Sequence, residues 1–355
     1  MPLRLNAPLS RLDLLIYGRY RLVHGLRIAL AFTLTFLLTR ELKLPESTWP
    51  LITLVVVMGP ISFWGNVLSR ALQRVVGTIF GAACGVVALY LELYSLPLTL
   101  IWCSCIMFLC GYLALGKRPY VGLLIGITLG VTMGAMPGDI ETALWRSGDV
   151  ILGSLLALLF CSIYPQRAYS HWRLQMHDTL LQAHRLYHTH LSPNILERPK
   201  LAQSHSRLLS KVVSLRPLLA PAVKETRLNS SLFEAIQTSM RNTLCILEML
   251  ANTYWSDRQS HFLMQSTPAL RDCQRATEAA ITQLALMLKS GELQEAEHAI
   301  VLLHDAVAQV RGSGEGDAAI NGYLWLNRQL IDQLSHLGRL LGLVLQPYAS
   351  PSARK

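Results

Sequence analysis

The residues of this sequence best placed to do chemistry are charged side chains lying in or beside long apolar runs. Arg27 falls in the first run, Arg70 and Arg74 stand four residues apart ahead of the third, Lys117 and Arg118 close the fourth, and Arg146 and Asp149 open the sixth. A charge at the centre of a bilayer costs roughly 3 kcal/mol on insertion scales, so such groups are usually paired or functional. Cations outnumber anions here, and a pathway lined this way attracts anions and repels cations. Asp149 is the acidic group placed to take up and release a proton within a span. Its three-residue spacing from Arg146 also suits a plain ion pair on one helix face. A structural role stands open for each cation as well, with the long side chain reaching back to the headgroups as an anchor.

Other chemistries find little support. Seven cysteines form no CxxC pair, and five of them lie in apolar runs, so they read as free thiols packed as small apolar groups. His177, His184 and His188 recur at helical spacing but lack a further ligand, and no metal or cofactor is expected. Gly111 to Lys117, GYLALGK, has the outline of a phosphate loop, but Arg118 replaces the required hydroxyl and no strand precedes it. With no nucleophile and base in company, an enzyme is not expected. Lys and Arg exceed Asp and Glu by 12 to 7 up to residue 164 and by 20 to 15 beyond it. The net charge of +10 is thus shared equally by the two halves, which argues against one nucleic-acid patch and for loop charges facing anionic lipid.

The elements that must position these groups are helices. At 52% hydrophobic and 15% charged residues the chain is too apolar for an average soluble domain, and the apolar residues concentrate before residue 165. A span needs about 20 apolar residues, and six segments qualify: Gly25 to Thr39, Trp49 to Gly65, Val75 to Tyr94, Leu96 to Leu115, Tyr120 to Met136 and Leu144 to Tyr164. Ser95 to Pro97 makes a tight hairpin between the third and fourth. Gly77, Gly81 and Gly85, and again Gly126, Gly130 and Gly134, form small-residue strips on which helices pack closely. Pro60 should kink the second span and expose carbonyls toward a cavity. Trp49, Trp64, Trp102 and Trp145 suit an aromatic belt.

Positive charge at the N-terminus, in the 66–74 connection, at Lys117 and Arg118, and at Arg167 and Arg173 places both termini in the cytoplasm. No cleaved leader is expected. The expected organisation is a basic amphipathic segment over 1–24, a six-helix transmembrane domain over 25–165 and a cytosolic helical domain over 166–355, all-α throughout. The first segment fits either the membrane surface or the face of its own soluble domain. Leu232, Ile236, Met240, Leu247, Leu250 and Tyr254 form a helical stripe in the last part. Asn229, Ser230 and Ser231 offer its cap. Pro193, Pro199, Pro217, Pro221, Pro268 and the turn RGSGEGD at 311–317 punctuate the helices.

Trp49 to Val57, WPLITLVVV, then Gly65, then Arg74 to Thr78, RVVGT, with Gly81 and Gly85, resembles the second and third spans of the fusaric-acid-resistance (FUSC) and aromatic-acid-exporter superfamily. Plant aluminium-activated malate transporters share the pattern. Lys117 to Tyr120, Arg146 and Asp149 before Gly153, and Tyr164-Pro165 extend the resemblance over nearly the whole chain. It implies an inner-membrane exporter of aromatic or other organic acid anions, either proton-coupled or a passive channel. Arg27, Arg74 and Arg146 would then hold the carboxylate, with Asp149 exchanging a proton. Trp49, Pro60, Gly77, Thr78, Gly81, Gly85 and Lys117 would line the pathway or pack its helices. Within this match Arg74 guards the cytoplasmic mouth and Arg70 becomes an anchor. Longer members carry two membrane units, so this single unit is expected to form a homodimer in the lipid. Such members often work with a periplasmic adaptor, which no feature here shows. The competing class is a membrane-anchored scaffold or sensor that transports nothing.

Overall fold

The computed structural model describes residues 5–45, 47–59, 63–116, 119–134, 136, 139–191, 200–256, 262, 268–292 and 318–346. Every regular element in them is a helix. Pro60, Lys117, Arg118, Pro193, Pro199 and the 311–317 turn lie outside the described residues. The helices form two compact units, Arg19–Arg167 and Met1–Gly18 with Ala168–Lys355.

The Arg19–Arg167 unit contains α2 (Tyr20–Glu41), α3 (Thr48–Met58), α4 (Trp64–Glu92), α5 (Leu96–Ala114), α6 (Pro119–Met133) and α7 (Ile140–Ile163). Four of these, α2, α4, α5 and α7, are long and apolar enough to cross a membrane; α3 and α6 are apolar but shorter. At 11 residues α3 rises about 16 Å, half of a hydrocarbon core. It stops at Gly59, whose φ of 55° favours glycine. The Arg70 guanidinium fills the place a Gly59 side chain would take, and its Nη2 donates to the Met58 carbonyl at 2.9 Å. Arg70 therefore serves the open C-terminal end of α3.

The connection expected at 66–74 is instead the first part of α4. Nothing between Trp64 and Val75 breaks a helix, and Val67, Ala71, Arg74 and Thr78 recur on one buried face. Reading charge as loop misplaced this segment. The inner face of the unit gathers Ala31 of α2, Leu54, Val57 and Met58 of α3, Val67 and Ala71 of α4, and Leu156, Ala157 and Cys161 of α7. The α4–α5 hairpin forms, but its turn is Leu93 to Ser95 where Ser95 to Pro97 was expected, because Leu96 and Pro97 open α5, a position that suits proline. Trp102, expected in the belt, sits inside α5 and donates from Nε1 to the Cys84 carbonyl of α4 at 3.1 Å.

The strip of Gly77, Gly81 and Gly85 faces α6. A Cβ on Gly81 would lie 2.6 Å from Thr128 Cβ and 2.7 Å from the Ile125 carbonyl, and one on Gly85 would overlap Thr132 Oγ1. On α6 the closest approach comes earlier than the sequence strip suggested. Gly122 lies against the Cys110 carbonyl of α5, whereas Gly130 has nothing within 4 Å. Gly81→Leu should therefore force α4 from α6 and cost about 1–3 kcal/mol as an overpacked contact. Gly130→Ala should be silent. Thermal inactivation of both variants in detergent checks the pair, and equal losses would refute the assignment of the contact.

The other unit packs α1 (Arg11–Gly18) with α8 (Ala168–His190), α9 (Ala202–Ser214), α10 (Arg216–Thr226), α11 (Ser230–Tyr254), α12 (Pro268–Ser290) and α13 (Ala318–Leu345). The stripe on α11 is buried from Ile236 to Tyr254, and the Asn229 side chain caps the helix by accepting from Ser231 N at 3.1 Å. Glu225 accepts from the backbone N–H groups of Ala168 and Tyr169, both at 3.0 Å, satisfying donors at the start of α8. Residues 5–9 dock onto this unit, Leu9 N donating to the Lys289 carbonyl at 3.0 Å. Tyr17 is buried against His171, while Leu12 and Leu15 of α1 stay 66% and 63% exposed. Arg173, read from the sequence as a loop charge, is 2% exposed and belongs to this core.

Burial holds two histidines of this unit neutral. His190, edge-on to Tyr187 and Tyr254, is pushed down to about 3, and His171, against Tyr17, to about 4. The unfolded chain takes up these protons near pH 6.5 and the folded chain does not, so stability is complete above that pH and declines as pH falls toward 4. At pH 5 the expected loss is about 2 kcal/mol per histidine. Denaturant unfolding followed by circular dichroism from pH 7.5 to 5 checks this. A flat profile, or an unchanged slope in His171→Gln, would contradict it.

Candidate functional site

The polar groups of the membrane-type unit converge where α3, α4 and α7 meet. Close contact here needs a glycine: a Cβ on Gly153 of α7 would lie 2.6 Å from the Pro50 carbonyl and 2.9 Å from Thr53 Cβ of α3. Thr53, completely buried, in turn accepts from Arg74 Nη2 of α4 at 3.3 Å. Arg74 is 4% exposed, and its Nε finds no hydrogen-bond partner among the described residues. One turn further along α4 the buried Thr78 hydroxyl is likewise unpartnered among the described residues, as is that of Thr35 on the Ala31 face of α2. Asp149, 2% exposed, stands one turn before Gly153 on α7 and is the buried carboxylate of this unit among the described residues. A guanidinium held by one neutral hydroxyl in a dry setting is costly unless an anion completes it.

The other expected contacts do not join this cluster. Arg27 Nη2 donates to the Tyr164 carbonyl at 2.8 Å, beyond the C-terminal end of α7, while Arg146 Nη1 donates to the Val131 carbonyl of α6 at 3.0 Å near the start of α7. Eighteen residues of near-continuous helix separate these two anchor points, about 27 Å. The Thr53–Gly153 contact with Arg74 falls between them. Arg27, Arg74 and Arg146 are thus three stations along the bundle, each on its own polar partner. Trp49 is half-buried at the start of α3, and Gly77, Gly81 and Gly85 are occupied by α6.

Sequence reasoning missed Thr53 as a contact, although its hydroxyl interrupts an otherwise apolar run, and Thr35 for the same reason. Ser147 and Ser154 are buried too, but they return their hydroxyls to the Ala143 and Val150 carbonyls of their own helix. The three histidines of α8 part company. His177 Nδ1 meets the Ala285 carbonyl at 2.7 Å, His188 Nδ1 meets Glu278 Oε1 at 2.7 Å, and the His184 ring stacks on His188. Among the described residues no group of three or more His, Cys, Asp or Glu side chains stands ready for a metal.

The inner membrane protein YeeA of Escherichia coli (strain K12) is 49% identical over 346 residues, covering 96% of this chain and 98% of that protein. The model of the fusaric acid resistance protein family matches residues 21–347, across both units. With its four full-length apolar helices, this chain is a multi-pass membrane protein and belongs to the fusaric acid resistance protein family.

Proposed function

We propose that the protein exports organic acid anions, aromatic carboxylates among them, across a bacterial inner membrane. The observation that carries this reading is Arg74, a buried guanidinium whose Nε is unpartnered among the described residues. Arg27 and Arg146 serve as outlying cationic stations, so that a carboxylate passes from one to the next. Asp149, buried one turn from the Gly153 contact, exchanges a proton with each cycle. We place both termini in the cytoplasm, with 25–165 as the transmembrane domain and α3 and α6 completing six membrane segments. The pathway forms by or between two copies of the single membrane unit.

The experiment is uptake of labelled 4-hydroxybenzoate into inverted membrane vesicles, where export appears as saturable accumulation. Uptake no greater than that of empty vesicles would sink the proposal. In proteoliposomes with an imposed proton gradient, flux that follows only the anion's own electrochemical gradient would exclude coupling through Asp149 and leave a passive channel. The mass of the detergent particle in the same preparation reads the homodimer, and one copy per particle would overturn it.

A further inference from the structure

The unit formed by α1 and α8 to α13 contains a cavity of about 490 Å³ between α8, α9 and α11, within the range typical of small-molecule sites. Leu186, Tyr187, Leu201, Leu247, Ala251 and Trp255 give it apolar and aromatic walls. Several polar groups around it are already engaged. Trp255 Nε1 donates to the His190 carbonyl at 2.9 Å. His205 places Nε2 2.6 Å from the Leu244 carbonyl and Nδ1 3.2 Å from Glu248 Oε2. His190 differs. It lines the cavity at 1% exposure, and its Nε2 finds no hydrogen-bond partner among the described residues. An imidazole held neutral by burial keeps Nε2 as an unused acceptor at this wall once its other nitrogen bonds to the Tyr187 backbone.

The charge lies next door. Leu186, Lys200 and Leu201 also line a second cavity of about 420 Å³, whose lining among the described residues includes Arg185 and Arg207 and no carboxylate. All three cations are exposed there. An aromatic chamber thus adjoins a three-cation groove across Lys200. Planar apolar groups gain from the faces and edges of Tyr and Trp rings, and exposed guanidinium and ammonium groups favour a carboxylate or sulfonate.

We propose that these adjoining cavities form a binding site for a small flat organic anion, with its ring in the aromatic chamber and its charged group toward Lys200, Arg185 and Arg207. A hydroxyl on the far side of the ring would donate to His190 Nε2. The site lies wholly within one unit, so it stands whether or not the membrane unit transports the same molecule.

Calorimetric titration of the full chain in detergent tests it, with 4-hydroxybenzoate as probe, phenol as the ring without the charge, and acetate as the charge without the ring. Saturable binding of 4-hydroxybenzoate is expected, with at least tenfold weaker binding of acetate and phenol. Ala251→Phe, which fills the chamber, should weaken the probe at least tenfold, and so should Lys200→Glu. Arg271→Gln, which removes an exposed cation that lines neither cavity, should leave it unchanged. No saturable binding, wild-type affinity in Ala251→Phe and Lys200→Glu, or loss in Arg271→Gln would each overturn the assignment. Should Ala251→Phe fail to fold, photolabelling of the unaltered chain with an azide-bearing hydroxybenzoate decides. Label in peptides covering 186–205 or 244–256 supports the site, and label confined elsewhere overturns it.

Discussion

Arg74→Gln should lose about 10- to 100-fold in transport of 4-hydroxybenzoate at sub-saturating concentration, because a hydrogen bond to a charged partner contributes about 1.5–3 kcal/mol. It should do so without losing stability. In the resting protein the Arg74 guanidinium is almost wholly buried, makes one 3.3 Å hydrogen bond to Thr53, and leaves Nε unpartnered among the described residues. Such a cation is a standing cost to the fold, of the kind a functional site retains. Removing the charge should leave thermal stability equal or raised, since replacing a poorly satisfied buried charge by a neutral group is often neutral or stabilising. The two readouts separate the roles. A transport site predicts lost flux with an unchanged or higher melting temperature, whereas a structural tie predicts a lower one. Arg74→Lys keeps the charge but not the planar fork and should recover only part of the flux. Wild-type uptake by Arg74→Gln, or its collapse on heating, would refute the assignment.

Arg74 also shows where the sequence is legible. The resemblance of RVVGT to a family span singled it out from Arg70, and Asp149 stood out as an acid beside Arg146 in an apolar run; the structure adds that both are buried. The all-helical fold was equally open to reading, because a 3.6-residue stripe such as Ile236 to Tyr254 buries itself wherever it packs. Two kinds of information were not local. Charge alone did not say whether Arg70, Arg74 and Arg173 face solvent or carbonyl oxygens. All three lie on helices, where Met58, Thr53 and the ends of distant segments receive them. Nor did spacing say which glycine meets a neighbour. Gly122 and Gly126 of α6 face α5 while Gly130 faces open space, because the contact face depends on how the helices cross. Thr53 was missed because a threonine in an apolar run is ordinary until an arginine from another helix reaches it.

The second large effect is expected at Arg173, in the other unit. This guanidinium is 2% exposed and joins two backbone segments through three carbonyls: Nε donates to the Leu288 carbonyl at 2.9 Å, and Nη1 donates to the Leu5 and Ala7 carbonyls at 3.0 and 2.8 Å. Leu288 lies in the last turn of α12, whose carbonyls lack helical partners and carry the negative end of the helix dipole. Tyr169, one turn earlier on α8, reinforces the arrangement by donating to the Leu5 carbonyl at 3.0 Å and to the Val344 carbonyl near the end of α13 at 3.3 Å. Its ring also lies 5.8 Å beneath the guanidinium carbon, within cation–π range. One cation thus satisfies oxygens that would otherwise be buried bare, and it ties the segment at residues 5–9 to the helix ends. Arg173→Met keeps the apolar stem and should destabilise the unit by about 3–5 kcal/mol, as when one side of a buried charged interaction is removed. Arg173→Lys should recover only part of this, since a point charge does not reach three carbonyls set for a fork. Denaturant unfolding measures the loss, and limited proteolysis should show faster cleavage within residues 5–18. If unfolding is unchanged in Arg173→Met, the carbonyls find other donors and the N-terminal segment is held by its apolar contacts alone.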